Sequence, residues 1–505
     1  MKILFIHPPW PGKGYGLRSQ NRWPRKRGDK TNRYPILLCY TATLLKNNNH
    51  DVKYIDSVYQ DFDQNQTLQQ IEKFSPDIIF IETATPTFDY DKEFIRIIKK
   101  HYPEIKVLVA GSHVTHDPVK AMKNSEIDVI IKGEMDQTTL NVVNAIKKNK
   151  TRKTKKTKTK KNNKTNKTNK ANTNFKHIKG ICYRSQTKII NNPSADLIKN
   201  LDKLPFPDRN LIPHKWYIEG HARKKPFTFV MGARGCPQNC TFCLWPNVYY
   251  NHMVRFRTPE NIADELQWLI KKYKMKEIFF DEGTFNTSKK RVIDLCKEII
   301  QRKIKILWSC SCRVDVLDLE MLKYMKKAGC KLICYGGESA NTKTLKQTNK
   351  QIKLNQIKKA VKLTQKAGII CHMNFMIGFP WENMTDVKRT IDFALKIKPD
   401  TVQFSMVFPH PGSKMFDQAK ENDWFYKQAL NNFQMFDMTQ GPVIKSQVQR
   451  DKMMRILNKA HANFFLRPSY IIKQILKIRD YDDLRVIVKG AISILKGKIF
   501  FRGRE

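Results

Sequence analysis

Arg234-Gly-Cys-Pro-Gln-Asn-Cys-Thr-Phe-Cys-Leu-Trp-Pro246 carries three thiols, Cys236, Cys240 and Cys243, within eight residues at the spacing C-x3-C-x2-C. Four-iron clusters are held by cysteine thiolates, ordinarily four, so three on one loop leave one iron open to a substrate or cofactor. A structural zinc site would close its tetrahedron with two short-spaced pairs of protein ligands. No second Cys or His pair lies at a matching interval, and His252 is the residue to be weighed as a fourth ligand. Eleven cysteines scattered over 505 residues are not a dense secreted disulfide framework. Pro237, Gln238 and Asn239 make the stretch a loop rather than a core strand. It reads as the seat of an open cluster, and an open iron implies chemistry.

Strand and helix patterns alternate around this loop. Downstream and immediately upstream of it, strands are expected at Thr228–Met231, Glu277–Asp281, Ile306–Cys310, Leu332–Tyr335, Cys371–Ile377 and Thr401–Val407. Helices are expected between them at Pro259–Tyr273, Lys289–Arg302, Asp318–Ala328, Leu354–Ala367 and Met384–Ile397. Six strand–helix starts predict a partial (β/α)6 barrel with its function on the loops after the strands. The cysteine loop follows the first strand. The later strand ends are polar as well: Asp281-Glu-Gly-Thr284, Ser309 to Arg313, Gly336-Gly-Glu-Ser339, Gly378-Phe-Pro380 and Pro409-His-Pro-Gly-Ser413. Any one of these acids or arginines serves equally well in a structural ion pair; five polar ends beside an open cluster outline a cofactor pocket.

The first 149 residues repeat the same alternation. Strand-length apolar runs at Lys2–Ile6, Val52–Ile55, Ile78–Glu82, Val107–Ala110 and Asp128–Ile131 are separated by helical segments Pro35–Lys46, Thr67–Phe74, Asp89–His101 and Gln137–Lys148. This pattern predicts a parallel sheet with helices on both faces, which binds ligands beyond the carboxyl ends of its strands. The residues at those ends are His7-Pro-Pro9, Thr83 to Thr87 with Thr85 between, Gly111-Ser-His-Val-Thr115 and Gly133-Glu134. Glycine lets the backbone approach a bulky ligand, and Thr83, Thr85 and Thr115 offer hydroxyls. No G-x-G-x-x-G follows the first strand, which disfavours a nicotinamide or flavin site.

The formal net charge of +47 would ordinarily suggest nucleic acid or an anionic surface. Lys150 to Lys170 alone supplies eleven of those charges and no acid, in a Lys/Thr/Asn tract that cannot build a core. Specific nucleic-acid binding is therefore not expected. An apolar fraction of 41% supports a globular body. The N-terminal apolar run is too short for a signal peptide, and no uncharged stretch approaches the roughly 20 residues of a membrane span; a cytoplasmic protein is expected. The divisions read as 1–149, an α/β Rossmann-like domain; 150–174, a disordered linker; 175–225, a connector; 226–425, the barrel; and 426–505, a basic helical extension.

With those residues in view, the sequence resembles the cobalamin-binding radical S-adenosylmethionine (SAM) enzymes over most of residues 1–425. The most specific piece is Gly235-Cys-Pro-Gln-Asn-Cys-Thr-Phe-Cys243. The resemblance implies that Cys236, Cys240 and Cys243 bind a [4Fe–4S] cluster whose fourth iron is chelated by SAM, and that the reduced cluster cleaves SAM to a 5′-deoxyadenosyl radical. It implies that Phe242 seats the adenine, Glu338 contacts the ribose, Arg313 holds the SAM carboxylate, Asp281 or Glu282 accepts from its amino group, and Gly378 lies near the adenine. Zwitterionic methionine needs one charge of each sign, and Arg suits a carboxylate.

Gly111-Ser-His-Val-Thr115 and Asp128-Val-Ile-Ile-Lys-Gly-Glu134 resemble the family's cobalamin domain, with Pro9, Thr83, Thr85, Gly111, His113, Thr115, Gly133 and Glu134 as the implied contacts. The D-x-H-x-x-G ligand motif of corrinoid proteins is missing, so His113 reads as a rim residue rather than a cobalt ligand. Thr241 to Pro246, Phe279 to Phe285 and Trp308-Ser-Cys310 look most like the group associated with hopanoid lipid biosynthesis, which is linked to remodelling the sugar-derived side chain of the lipid. The resemblance implies a radical acting on an unactivated carbon, with methyl transfer or carbon-skeleton rearrangement as the outcome. In cobalamin-dependent relatives methylation is the commoner outcome. Such an enzyme takes a small-molecule or lipid substrate and an external low-potential electron donor of ferredoxin or flavodoxin type.

Rival readings account for less of the sequence. RNA-modifying methylthiotransferases share the core but use three further N-terminal cysteines, where this chain has Cys39 alone. Cys310, Cys312, Cys330 and Cys334 read as small hydrophobes of core strands. A non-catalytic metal- or nucleic-acid-binding protein would explain the thiols and the charge only separately. In the extension, Ile471–Ile478 and Leu484–Leu495 supply apolar faces between Lys and Arg. They suit packing on the barrel, or peripheral association with an anionic membrane.

Overall fold

Aliphatic runs that bury on both faces call for a parallel sheet covered by helices, and both halves of the chain meet that condition. The computed structural model describes residues 1–12, 14–16, 18, 26–27, 32–123, 125–159, 174–217, 220, 222–437, 440–476, 478, 484 and 488. In the first half, β1 (Lys2–His7), α1 (Ile36–Asn47), β2 (Asp51–Asp56), α2 (Gln64–Phe74), β3 (Ile78–Glu82), α3 (Phe88–His101), β4 (Lys106–Ala110), α4 (Ser112–His116), α5 (Pro118–Met122), β5 (Val129–Ile131) and α6 (Met135–Thr159) follow one another. Local chemistry sets the starts: α2 opens on a capping box in which Asp63 accepts from the Gln66 amide at 2.7 Å and Gln66 returns the bond at 2.9 Å.

The strand order is β2-β1-β3-β4-β5, all parallel. The order reverses between β1 and β3, and ligands of such sheets bind in the crevice outside that reversal. Two further strands, β6 (Ile181–Ser185) and β7 (Lys188–Asn191), extend the same sheet antiparallel. The connector, whose stretch Phe175–Arg184 reads from sequence as a hairpin strand, thus contributes the sheet's edge. Helix α6 runs ten residues into the tract expected as a linker; 160–173 lie outside the described residues.

In the second half, β8 (Phe227–Val230), α7 (Pro259–Tyr273), β9 (Glu277–Phe280), α8 (Lys289–Gln301), β10 (Leu307–Cys312), α9 (Leu319–Lys327), β11 (Cys330–Glu338), α10 (Thr342–Gln347), α11 (Leu354–Lys366), β12 (Ile370–Ile377), α12 (Met384–Ile397) and β13 (Thr401–Met406) form the partial barrel. Its six strands are parallel and adjacent in sequence order. Side chains of Thr258, Ser288, Asp318, Asn341 and Asn383 cap α7, α8, α9, α10 and α12, each satisfying amides that a helix start leaves orphaned. Outward-facing Ile278, Phe280, Trp308, Ile333 and Tyr335 pack under the helices. Trp308 is fully buried and donates to Ala328 O at 2.8 Å; truncating a side chain so placed typically costs about 3–5 kcal/mol.

Inward-facing Phe229, Phe279, Leu332 and Cys334 instead join the buried cluster of the first domain, with Tyr34, Ile212 and Tyr217. The first domain and its connector therefore close the inner face of the barrel. Buried ion pairs fix the seam: Arg234 to Asp136 at 2.6 Å and to Glu134 at 3.3 Å, Arg255 to Glu134 at 2.8 Å, and Arg33 to Asp281 at 2.7 Å.

The extension continues through α13 (Lys414–Glu421), α14 (Lys427–Asn431), a turn at Phe433–Phe436, α15 (Arg450–Phe465) and α16 (Pro468–Ile475). Met453, Leu457, Ala460 and Phe464 bury one face of α15, and His461 accepts from the Phe404 amide of β13 at 3.2 Å. The helix expected at Ile471–Ile478 is α16, which buries none of its residues. The one expected at Leu484–Leu495 lies, apart from 484 and 488, outside the described residues. No helix among the described residues is long and apolar enough to cross a membrane.

Candidate active site at the seam of the two domains

The cysteine loop leaves β8 through Gly232 and Gly235. Gly235 has φ +102°, and a Cβ there would lie 1.8 Å from Met253 O. On the facing strand end, a Cβ on Gly283 would meet Gly235 O at 2.5 Å and Cys236 Cβ at 3.0 Å. Glycine at both positions lets the loop lie flat on the rim. Cys240 is buried, Cys236 and Cys243 are half-buried, and no cysteine of the chain is in a disulfide. His252 braces the loop, with its ring nitrogens 3.2 Å from Gln238 O and 2.8 Å from Asn247 Oδ1. That geometry leaves it no part as a fourth ligand.

A second strand of backbone clamps the loop from the side. Thr348 O accepts from the Thr241 amide at 2.9 Å, Asn349 Nδ2 donates to Asn239 O at 3.0 Å, and Lys350 Nζ lies 5.9 Å from the Phe242 ring centre. Asn349 and Gln351 have φ of +51° and +56°, a strained conformation for residues with side chains. The bend turns Lys350 inward, where it pairs with Glu338 at 2.7 Å. Glu338 itself has φ +59°. Burial pushes the Cys240 thiol up, and Lys350 and Arg313 pull it back toward the thiolate.

The other expected SAM residues sort themselves by their partners. Arg313 makes a two-pronged pair with Asp315, at 2.9 and 2.8 Å, and donates to Lys350 O at 3.1 Å. Both oxygens of Glu282 are taken by Arg291, at 2.8 and 2.9 Å, so Glu282 faces the helices as a structural ion pair. Asp281 receives Arg33 on Oδ1, while its buried Oδ2 has no hydrogen-bond partner. Gly378 has φ +85° and donates to Glu382 at 3.1 Å.

On the first domain, β1 and β3 bring His7 and Glu82 to the crevice, 3.3 Å apart. Tyr54 bonds to His7 at 3.0 Å, and Tyr217 to Asp56 at 2.6 Å. Burial disfavours the His7 cation, but Asp56 and Glu82 outweigh it and hold its pKa above the ordinary value. This buried network was not anticipated; its one sequence signal is a His and a Glu ending neighbouring strands.

Of the expected rim residues, Pro9 follows the end of β1 and Thr85 opens the turn after β3, and Thr83 donates to Asp91 at 2.7 Å. Gly111, at φ +133°, has its Cβ position 2.1 Å from Thr83 O, so close backbone packing demands the glycine. Thr115 accepts from the Gly133 amide at 3.3 Å. Glu134 is committed to Arg255, Arg234 and the Ile198 amide: it welds the domains rather than facing a ligand. His113 packs 4.5 Å from Phe88 and 4.7 Å from Phe433, with Nδ1 buried and without a partner. Burial first, then His116 and Lys120, lower its pKa to about 3, so it stays neutral.

The two sites share one seam. Immediately after Cys243, Trp245 and the turn Pro246–Tyr250 pack into the first domain's core beside α4. Three thiols flanked by buried Lys350 and Arg313 suit an anionic iron–sulfur cluster. An unpartnered Asp281 oxygen and left-handed Glu338 suit a zwitterionic nucleotide beside it. A neutral His113 with a buried, partnerless Nδ1, just beyond the end of β4, suits a polar group of a large ring. No three His, Cys, Asp or Glu side chains among the described residues converge as a single metal ion would need; a cube of four irons holds its thiolates further apart.

A parallel barrel bearing C-x3-C-x2-C and a doubly wound domain capping it define a two-cofactor radical enzyme. The radical SAM superfamily model matches residues 230–394 and the B12 binding domain model matches residues 30–143. An uncharacterized methyltransferase of Pyrococcus horikoshii is 32% identical over 97% of this chain and 97% of its own. The anaerobic magnesium-protoporphyrin IX monomethyl ester cyclase of Rubrivivax gelatinosus is 25% identical over 93% of this chain and 78% of its own. Hopanoid C-3 methylase of Methylococcus capsulatus matches more distantly, 20% identical over 85% and 77%. The cobalamin-dependent radical SAM enzyme OxsB, solved with aqua-cobalamin and SAM, shares the fold: TM-score 0.69, 16% identity, 98% of this chain and 71% of that one. The chain belongs to the cobalamin-binding radical SAM enzymes. Its cofactors are a [4Fe–4S] cluster, SAM and cobalamin, and it requires a small-molecule substrate and an electron donor.

Proposed function

We propose that the protein transfers a methyl group to an unactivated carbon of a hydrophobic small molecule, with a hopanoid or other lipid side chain as the acceptor to be tested first. The observation that carries this reading is the packing of Pro246–Tyr250, three residues beyond Cys243, against α4 of the cobalamin domain. It directs both cofactor sites to a common seam. When bound, the cluster supplies the electron that cleaves SAM, and cobalamin supplies a methyl carrier.

In this reading Cys236, Cys240 and Cys243 hold the cluster. Phe242 packs the adenine, with Gly378 giving it room. Glu338, turned by its left-handed backbone, accepts from the ribose, and Lys350 keeps that carboxylate in place. Arg313, already braced by Asp315, presents its charge to the SAM carboxylate. Asp281, rather than Glu282, takes the amino group through its partnerless oxygen. Pro9, Thr83, Thr85, Gly111, His113, Thr115 and Gly133 line the corrin crevice. His7 and Glu82 form its polar floor.

Anaerobic incubation with SAM, hydroxocobalamin, reductant and candidate lipids, with mass detection of product, tests the function. A gain of one methylene unit is expected; a product of equal mass would replace methyl transfer with rearrangement. Iron and sulfide analysis tests the cluster: one [4Fe–4S] per chain is expected, lost in Cys240→Ala, and stoichiometric zinc without sulfide would sink the reading. A lipid acceptor is met at a membrane surface. Ile471, Ile472 and Ile475 on α16 and Leu476 just after it are exposed, and the sequence beyond adds Lys477, Arg479, Arg485 and Lys489. An apolar face with flanking cations suits an anionic bilayer. Partition of the full chain to anionic liposomes, lost on deleting Asp480–Glu505, supports that contact, and unchanged partition removes it.

A further inference from the structure

The carboxylate of Asp281, assigned above to the SAM amino group, is gripped from outside the barrel. Asp281 directly follows β9, two residues before Gly283, the glycine that abuts Gly235 and Cys236. It is 1% exposed, and its two oxygens differ: Oδ1 receives Arg33 Nη2 at 2.7 Å, and Oδ2 is buried with no hydrogen-bond partner. A buried acceptor left unmade is costly, at about 1–3 kcal/mol, which is tolerable where a ligand supplies the donor.

Arg33 comes from the other domain, 248 residues away in sequence, just before α1. Its guanidinium lies 5.3 Å from the Phe229 ring centre and 5.6 Å from that of Phe279. Those rings stand on β8 and β9 at paired register positions, so they form an aromatic slot on the inner face of the barrel. A planar cation against two ring faces and one carboxylate oxygen has little rotational freedom. The Asp281 carboxylate it grips is oriented in turn.

We propose that Arg33 is a positioning residue for SAM: by fixing Oδ1 of Asp281 it aims Oδ2 at the amino group of the methionine, so the cobalamin domain finishes the SAM site of the barrel. This rests on the assignment of Asp281 to that amino group. Lysine in place of Arg33 keeps the charge but not the planar fit to the slot, and glutamine keeps neither.

The test uses the full-length, cluster-loaded protein and equilibrium dialysis of two ligands, SAM and its analogue with hydrogen in place of the α-amino group. Wild type is expected to prefer SAM by roughly ten- to hundred-fold, the range of one hydrogen bond to a charged group. Asp281→Asn should reduce that ratio to near unity. Arg33→Gln should reduce it about tenfold, with iron and sulfide content unchanged, and Arg33→Lys should fall between. Were Arg33 merely structural, Arg33→Gln would weaken SAM and analogue alike and leave the ratio intact; that result overturns the proposal while sparing the Asp281 assignment. A preference undiminished in Asp281→Asn overturns both. If Arg33→Gln fails to assemble the cluster, Arg33→Lys decides alone: a ratio equal to wild type overturns the proposal.

Discussion

Single residues in the cysteine loop are constrained by backbone geometry before any cofactor chemistry enters. Gly235 is the sharpest case, because its φ of +102° is hostile to side chains and Met253 O stands 1.8 Å from where a Cβ would be. Gly235→Ala should cost about 1–3 kcal/mol in local strain and push the loop off the Gly283 rim. Its expected signature is a reduced iron and sulfide content after reconstitution with far-UV circular dichroism unchanged; full cluster content would show that the loop accommodates the methyl group. The same reasoning distinguishes Glu282 from Asp281. Adjacent acids on one strand end point to opposite sides, and only the inner one keeps an oxygen unengaged.

At the scale of elements, the turn after β12 carries a pH-dependent term. Glu382 is buried and accepts from the amides of Gly378 and Phe379 and from the Thr344 hydroxyl at 3.1, 3.3 and 3.0 Å. Burial raises its pKa from 4.5 to about 7, against the pull of those donors. A carboxyl whose folded pKa is raised binds its proton more tightly in the native state, so stability is full below about 4.5 and falls as pH rises toward 7. The loss is at most about 3 kcal/mol. Urea unfolding across pH 4.5 to 8 should show this slope in wild type and a flatter one in Glu382→Gln. Parallel slopes would assign the effect elsewhere, Asp91 and Glu277 being buried carboxyls, and His7 a buried imidazole, that are also held above their ordinary pKa.

Elements of this kind were largely legible in the sequence, and the exceptions have physical causes. Ile78–Glu82, Pro259–Tyr273 and Met384–Ile397 coincide with their expected limits, because continuous aliphatic runs and a helical period bounded by caps are local signals. Strand β11 runs to Glu338, past Gly336 and Gly337, which a propensity reading takes as its end. Pairing to β10 and β12 on both sides carries it through. Helix α15 falls within the basic helical extension expected over 426–505, but its limits are not legible because its apolar positions are thinned by Lys, Arg and His461, the last of which meets β13 only after folding. The three cysteines were legible because their spacing is local. Lys350, Arg33 and the His7–Glu82 pair were not, since each acquires its meaning from a partner on another element.

For the whole molecule, the decisive feature is that Arg234, two residues before Cys236, is held by the first domain. It is buried between Asp136 at 2.6 Å and Glu134 at 3.3 Å, while Arg255 secures the other side of Glu134. Taking charges out of water is costly, and removing one partner of such a group leaves an uncompensated cation, typically at a cost of about 3–5 kcal/mol. Asp136→Ala is therefore expected to lower stability by an amount near that range and, since Arg234 sets the entry to the cysteine loop, to lower cluster content in the same preparation. Glu93→Ala, which breaks the exposed pair with Arg96, serves as the comparison and should leave stability nearly unchanged. Urea unfolding and iron analysis read both effects. Equal losses in the two variants would mean that the seam is a surface contact in energetic terms, and that the cobalamin domain and the barrel hold their cofactors independently. A large loss of both stability and iron in Asp136→Ala alone would mean that the domain binding one cofactor also builds the loop that holds the other.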